Sequence, residues 1–236
     1  MTVRFSASVA SRLISCPASA NLETSIPGWE EPTVDHEAGA KGKGTALHKI
    51  LQDTSEVSAR DLRFLAQALE YVADVKQQRR FHVMAEATVE ADWLQSKPRT
   101  TADLVLWTQD ELHILDYKTG KILVDPVGNE QLMYYALCFA HLAPKAKGVT
   151  LHIIQPWADN MTSWFASTTE LAAFRDRAVK AEAEVLAKST RFGPSDGCLF
   201  CPANPHSRGD KGHPLCPAML QLLYPREVDE TEILGL

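Results

Sequence analysis

Two aspartates and a lysine lie in adjacent strand-like segments, ADLVLW and LHILDY. A symmetric hairpin across Gln109 and Asp110 pairs position 103 with position 116, so Asp103 should lie directly opposite Asp116. Opposed residues on one sheet face have Cβ atoms about 4.5 to 5.5 Å apart, and like charges there are destabilising unless something compensates them. Lys118 follows Asp116 by two residues, so strand alternation puts both side chains on one face.

This arrangement favours a bound divalent cation. Two carboxylates and the carbonyl oxygen of Tyr117 suit a hard ion such as Mg²⁺ or Mn²⁺, which can orient water and neutralise charge developing on a phosphodiester. Lys118 can stabilise the transition state or help to position the attacking water. The pattern alone leaves a second interpretation open, a surface hairpin with an ion pair between Asp116 and Lys118.

The cysteines form a second constellation. Cys198 and Cys201 make a CxxC pair, Cys216 follows them, and Cys16 stands alone far upstream. In a reducing compartment such a cluster binds metal more readily than it forms disulfides. Four thiolates are the usual ligands of a 4Fe-4S cluster, and these four cysteines would supply that set. Zinc held by Cys198, Cys201, His213 and Cys216 is the alternative, and it leaves Cys16 without a role.

Strands and helices must position these residues. Hydrophobic alternation and turn signals predict strands over about 82–91, 102–107, 112–117 and 149–155. Helical periodicity and capping signals predict helices over about 6–15, 45–53, 58–72, 129–141 and 170–187. Cys138, inside one of these helices, is expected to be a buried small hydrophobe. The order of elements predicts an α/β sheet domain with a metal-bound end.

Length and composition limit the class of protein. With 236 residues and 45% hydrophobic composition the chain can bury a substantial core, and we expect one domain. No segment approaches the roughly 20 apolar residues that span a bilayer, and the first residues lack the apolar run of a secretory signal. We therefore expect a cytoplasmic protein. The net charge of -6 argues against a broad, non-specific nucleic-acid coat and leaves room for a local groove.

The segments LDYKTG and QLMYY, in that order, resemble the signature of the RecB-like branch of the PD-(D/E)XK nuclease superfamily. In such families an acidic residue before the hairpin turn, a D-x-K pair, a helical Q-x-x-x-Y and an upstream histidine form the active site. The resemblance implies metal ligation by His48, Asp103 and Asp116, to which strand alternation adds the Tyr117 carbonyl. It implies catalytic roles for His48, Asp103, Asp116, Lys118, Gln131 and Tyr135.

The cysteines are arranged with one before the core and three after it. This arrangement is similar to that in iron-sulfur nucleases of the AddB and CRISPR-associated RecB-like exonuclease group. The segment SRLISCPAS looks like the first cysteine motif of that group. The resemblance spans nearly the whole chain and favours a 4Fe-4S cluster on Cys16, Cys198, Cys201 and Cys216. It implies a restriction-endonuclease-like α/β core over 81–190, a mixed sheet flanked by helices. The cluster would join the N-terminal helical region, residues 1–80, to the cysteine-rich tail, residues 191–236.

The combined expectation is a metal-dependent DNA exonuclease that acts on single-stranded ends, with DNA as its partner and recombination or CRISPR-type proteins as further candidates. A phage-encoded chain would act in the cytoplasm of its bacterial host. A structure-specific endonuclease with the same active site is one alternative. A catalytically silent DNA-binding or assembly module with a zinc site is another, and the intact D-x-K and Gln-Tyr pattern argues against it.

Overall fold

The computed structural model describes residues 5–25, 59–77, 79–120, 122–201, 203–204 and 216–223. The chain divides into two compact units. The first consists of Met1–Pro32, Leu94–Ser96 and Asp176–Leu236, and the second of Thr33–Trp93 and Lys97–Arg175. Within the described ranges, no helix has the length and apolar character needed to cross a membrane.

A five-stranded sheet forms the centre of the second unit. In spatial order its strands are β1 (His82–Glu90), β2 (Arg99–Trp107), β3 (Leu112–Tyr117), β4 (Gly148–Gln155) and β5 (Asn160–Ser167). Neighbouring strands are antiparallel except β3 and β4, which are parallel. Parallel neighbours need a crossover connection, and here it contains a helix. The sequence predicted the first four strands and missed β5.

Helix α3 (Ala59–Gln77) covers one face of this sheet. Its residues Ala68, Val72 and Val75 recur at helical spacing and so form one apolar stripe. They pack against side chains that alternate along β2, β3 and β4, namely Leu104, Leu106, Leu115 and Ile154. The helix predicted over 58–72 is confirmed and runs one turn longer. The helix predicted over 45–53 lies outside the described residues.

Helix α4 (Glu130–Phe139) connects β3 to β4 and contacts β2, β3 and β4. Asn129 caps it, because its side chain accepts a 3.1 Å hydrogen bond from the Leu132 amide. Seven of its residues are buried, including Tyr134, Tyr135 and Cys138. Trp93 packs edge-on against Tyr134 at a centroid distance of 5.0 Å. The α/β class, with a mixed sheet flanked by helices, is therefore confirmed, and Cys138 is buried as predicted.

The first unit is built from short helices and the second half of a long one. Helices α1 (Ala7–Ser15) and α2 (Ser19–Ser25) precede the sheet in the sequence, whereas α5 (Thr168–Leu186) and α6 (Pro217–Leu223) follow it. Of these four helices, α2 and α6 were not predicted. Within this unit the buried carboxylate of Glu182 accepts hydrogen bonds of 2.9 Å from the amides of Gln95 and Ser96. These bonds fix a short segment of the chain against α5.

Candidate active site

The hairpin of β2 and β3 brings the two predicted carboxylates face to face. Its register pairs Leu104 with Leu115, and one further step along both strands puts Asp103 across from Asp116. The Oδ2 atom of Asp103 accepts a 2.6 Å hydrogen bond from the amide of Tyr117. That bond orients the Asp103 carboxylate toward the end of β3, where the site is formed.

Lys118 joins the carboxylates to helix α4. Its Nζ lies 2.8 Å from Oδ2 of Asp116 and donates a 2.8 Å hydrogen bond to Oε1 of Gln131. Gln131 in turn donates from Nε2 to the hydroxyl of Tyr135 at 3.0 Å. The four-residue spacing of Gln131 and Tyr135 puts both on one helix face. The structure therefore brings Asp103, Asp116, Lys118, Gln131 and Tyr135 together at one end of β3.

Negative charge is concentrated around Tyr135. Its pKa is raised chiefly by burial and then by the charges of Asp116 and Asp103, while hydrogen bonds from Gln131 and Thr100 oppose the shift. The Asp116 side chain is only 4% exposed, so its charge is poorly solvated. Two carboxylates in such a setting favour a bound cation, and their oxygens are the donors that a hard divalent ion prefers.

Glu86 on β1 is a further acidic residue at this end of the sheet. β1 pairs Ala85 with Leu104 and Ala87 with Ala102, which puts Glu86 across from Asp103. Its φ of 49° is left-handed, a conformation that costs a non-glycine residue on the order of 1–3 kcal/mol. Glu86 also contributes, after burial and Asp103, to the raised pKa of Tyr117. The sequence shows Glu86 only as an acid on a strand edge. The backbone geometry adds that Glu86 has a left-handed conformation and lies across from the site aspartate Asp103.

One predicted ligand cannot be placed, since His48 lies outside the described residues. Across the portion of the chain that is described, no three His, Cys, Asp or Glu side chains lie close enough together to hold a metal ion as they stand. Two residues near the site were missed by the sequence interpretation. Thr100 bonds the Tyr135 hydroxyl, and Gln155 on β4 holds the chain that follows Lys118. An isolated threonine or glutamine carries no motif that would have indicated this.

The four cysteines of the predicted cluster, Cys16, Cys198, Cys201 and Cys216, belong to the first unit, where the end of α1 packs against the chain that follows α5. Arg191 donates hydrogen bonds of 3.0 Å to the Ser15 carbonyl and 3.1 Å to the Ile14 carbonyl. A Cβ at Gly193 would collide with the Ser15 carbonyl oxygen, so this close approach requires glycine. These contacts connect regions of the chain that are more than 170 residues apart in sequence.

Four cysteine thiols lie near this contact, and none is in a disulfide. Burial raises the pKa of Cys201 and Cys216, and neighbouring thiols add to the shift: Cys16 acts on both, and Cys198 acts on Cys216. The charge of the buried Arg12 opposes the shift at Cys201. His213, the histidine of the alternative zinc set, lies outside the described residues.

Several solved structures can be superposed on the chain. One is the crystal structure of SSO0001, with a TM-score of 0.39, 15% identity and coverage of 81% of both chains. Another is an alkaline exonuclease (LHK-Exo) from Laribacter hongkongensis, with a TM-score of 0.36, 12% identity and coverage of 76% of this chain and 91% of that one. Its complex with dAMP gives the same values. A likeness at this level assigns no activity.

The family to which the chain belongs is shown by sequence. A family model described as "Protein of unknown function (DUF2800)" matches residues 52–235, which include the hairpin carboxylates, Lys118, the Gln131–Tyr135 pair and three of the four clustered cysteines. Because this match covers well over half of its length, the chain is a member of the DUF2800 family.

Proposed function

We propose that the second unit is a divalent-metal-dependent deoxyribonuclease that hydrolyses phosphodiester bonds as an exonuclease on single-stranded ends. One observation carries the proposal. Two opposed carboxylates lie beside a lysine whose ammonium group contacts both Asp116 and the Gln131 amide. A surface ion pair between Asp116 and Lys118 would not need the second aspartate or the buried Gln131–Tyr135 bond.

Asp103, Asp116 and the Tyr117 carbonyl would hold Mg²⁺ or Mn²⁺, with His48 as the further ligand that the RecB-like resemblance implies. When bound, the cation supplies a Lewis acid that polarises the phosphoryl oxygen and acidifies a water molecule. The bond from the Tyr117 amide keeps the Asp103 carboxylate oriented at the end of the strand. Asp116 meanwhile lies with Oδ2 2.8 Å from the ammonium group of Lys118.

Lys118 stabilises the charge that the reaction develops. A lysine ammonium group only donates hydrogen bonds, so Gln131 must present Oε1 to it and leave Nε2 to donate to Tyr135. The two hydrogen bonds, from Lys118 to Gln131 and from Gln131 to Tyr135, form a relay that fixes the position of Nζ by direct contacts between side chains. From there Lys118 can hold the attacking water and stabilise negative charge on the phosphoryl oxygens, with no reorganisation during the reaction.

Tyr135 anchors the other end of the relay. Because burial and the two carboxylates raise its pKa, its hydroxyl remains protonated throughout the neutral and mildly alkaline range. The hydroxyl therefore stays a neutral hydrogen-bonding group for Gln131 and does not add a third negative charge to the site. The Gln131–Tyr135 pair is in this sense a positioning pair for Lys118.

For the first unit we propose a 4Fe-4S cluster held by Cys16, Cys198, Cys201 and Cys216. The four thiols are free of disulfides, and those of Cys201 and Cys216 are close enough to the other thiols for their pKa values to be raised by them. As the structure describes these four residues, no three of the thiols are close enough to bind a metal ion, so cluster binding would have to draw them together. A cluster with four thiolates carries net negative charge, and the buried Arg12 guanidinium beside Cys201 offsets some of it. Its role is structural, because it ties α1 to the C-terminal chain within this unit.

Linear and closed circular single-stranded DNA of one sequence, incubated with Mn²⁺, test the proposed activity and its dependence on ends. The proposal expects release of mononucleotides or short products from the linear strand and persistence of the circle. Nicking of the circle at a similar rate would identify an endonuclease with the same active site. No hydrolysis of either molecule with Mg²⁺ or Mn²⁺ would contradict the nuclease assignment.

A further inference from the structure

The loop between β3 and α4 presents aliphatic side chains to solvent directly after the catalytic lysine. Ile122 is 72% exposed and Leu123 is 70% exposed, and Val127 further along is 60% exposed. Most large apolar side chains of the second unit are buried on one or other face of its sheet. Three exposed aliphatic side chains within one short loop are therefore unusual. Contiguous exposed apolar groups generally mark a binding surface.

A buried side chain bonds the backbone of three loop residues, Gly120, Ile122 and Val124. Gln155, which is 0% exposed, donates from Nε2 to the carbonyls of Gly120 at 2.7 Å and Ile122 at 2.8 Å. Its Oε1 accepts from the amide of Val124 at 3.2 Å and from Asn160 at 3.0 Å. Both polar atoms of the Gln155 side-chain amide are thus hydrogen-bonded, and three loop residues are fixed by them. The exposed positions of Ile122 and Leu123 are therefore set by specific hydrogen bonds.

Asn160 strengthens the same clamp. Its Nδ2 also donates to the Val124 carbonyl at 2.8 Å, and its Oδ1 accepts from the Thr162 hydroxyl at 3.1 Å. Leaving buried amide groups without these bonds would be costly, so the loop and the end of the β4–β5 hairpin fold as one piece. The apolar side chains are therefore presented by a rigid support.

Chain geometry limits how far these side chains are from the reaction. Ile122 is four residues beyond Lys118, and an extended chain spans at most about 3.6 Å per residue, or roughly 14 Å. A stacked nucleic-acid strand advances about 3.4 Å per nucleotide, so the Ile122 backbone lies within about four nucleotide lengths of the Lys118 backbone. A strand that leaves the site in the direction of the loop passes within reach of its side chains.

We infer that Ile122 and Leu123 bind the exposed faces of unpaired bases near the scissile phosphate, and so are the residues that give the proposed activity its preference for single strands. The inference rests on the proposed nuclease function. Phosphates and sugars are polar, so the apolar surface of DNA is on the base faces, and a continuous duplex hides these between neighbouring pairs. Aliphatic side chains contact bases that are unstacked, either splayed from a single strand or frayed at an end.

The double variant Ile122→Ser with Leu123→Ser removes the apolar side chains and leaves the Gln155 clamp, whose contacts in the loop are with backbone atoms. The matched control is Val83→Ser, which removes an aliphatic side chain that is 46% exposed on β1. Binding of a fluorescent single-stranded oligonucleotide is measured by anisotropy with Ca²⁺, which supports binding without efficient turnover. Turnover with Mn²⁺ is measured on the same oligonucleotide and on bis(p-nitrophenyl) phosphate, a diester that has no bases.

The double variant should bind the single strand about tenfold more weakly and lose a similar factor in kcat/KM on it. Hydrolysis of the small diester should stay within about twofold of wild type, as should both activities of Val83→Ser. Unchanged single-strand affinity in the double variant would overturn the inference, as would an equal loss on the small diester. A change in sedimentation from a larger species to a monomer, with single-strand affinity intact, would overturn it too and make the loop a contact between copies of the chain.

Failure of the nuclease proposal gives a different result. A wild-type protein that hydrolyses neither substrate with Mg²⁺ or Mn²⁺ contradicts the proposed activity, while the anisotropy measurement still decides whether the loop binds bases. A wild-type protein that does not bind the single strand at all overturns the inference directly.

Discussion

Lowering the pH should destabilise the second unit through His152, and the variant His152→Gln should lose most of that dependence. His152 is 3% exposed and lies in a row of polar groups. The Tyr71 hydroxyl is 2.9 Å from its Nδ1, and its Nε2 is 3.0 Å from Nδ1 of His113, whose Nε2 faces Glu111. Burial lowers the pKa of both His113 and His152, so both are neutral in the folded unit. Two neutral imidazoles satisfy this row when Tyr71 donates to His152, His152 to His113, and His113 points its remaining N–H toward Glu111, which only accepts.

The size of the effect follows from the pKa of His152. Burial, and then the nearby His113, lowers it from 6.5 to about 3. Between these values the unfolded chain binds a proton that the folded unit does not, so stability is complete above pH 6.5 and falls as the pH falls. One pKa unit corresponds to about 1.36 kcal/mol, and the loss between pH 7 and pH 4.5 is therefore on the order of 2–3 kcal/mol.

Urea denaturation followed by tryptophan fluorescence measures this loss, because four of the five tryptophans, Trp93, Trp107, Trp157 and Trp164, belong to the second unit. His152→Gln should be less stable than wild type at pH 7, since Tyr71 and His113 lose their partner. Between pH 7 and pH 4.5, however, the variant should lose on the order of 2–3 kcal/mol less stability than wild type. The exposed His82, replaced by glutamine, is the control and should keep the wild-type loss. An equal loss in His152→Gln and wild type would refute the reasoning.

Three further predictions concern the two sites. Lys118→Ala should lower DNA cleavage about 10²–10³-fold, the usual cost of removing a transition-state charge contact, with an unchanged circular dichroism spectrum. Gln131→Leu should lower kcat more than it raises KM, because Lys118 keeps its charge and loses its support, and Gln131→Glu, which keeps an acceptor, should recover some of kcat. Anaerobically purified protein should be brown, and Cys16→Ala should lose iron by elemental analysis while Cys138→Ala keeps it. Full metal content in Cys16→Ala, with loss in His213→Ala, would establish the zinc set instead.

Local patterns predicted the hairpin that carries the site. The turn at Gln109 and Asp110 and the alternation on either side determine the register, which is why the facing positions of Asp103 and Asp116 followed from the sequence. The bounds of β3 were predicted to the residue, because a polar turn and the KTG segment limit it on both sides. Turns and strand alternation are determined by residues that are close together in the sequence, so both can be predicted from the sequence alone.

The elements that were missed depend on contacts between distant regions of the chain. β5 follows a single 3-10 turn and a left-handed Asp159, and its burial pattern shows only one buried residue, so no apolar run marked it. The clamp of Gln155 on the loop could not be predicted, because a glutamine in a strand does not indicate which backbone groups it will bond. The packing of Gly193 against Ser15 likewise depends on tertiary structure.

The central claim is that the facing carboxylates form a metal-dependent phosphodiesterase site. Release of labelled nucleotide from an end-labelled single strand, with Mn²⁺ or with excess EDTA, tests it most directly when wild type is compared with Asp116→Asn. Asparagine keeps the shape of the side chain and removes only its charge. We expect release by wild type with Mn²⁺, no release in EDTA, and a loss of at least about 100-fold in Asp116→Asn. Undiminished release in EDTA, or wild-type release by Asp116→Asn, would contradict the claim.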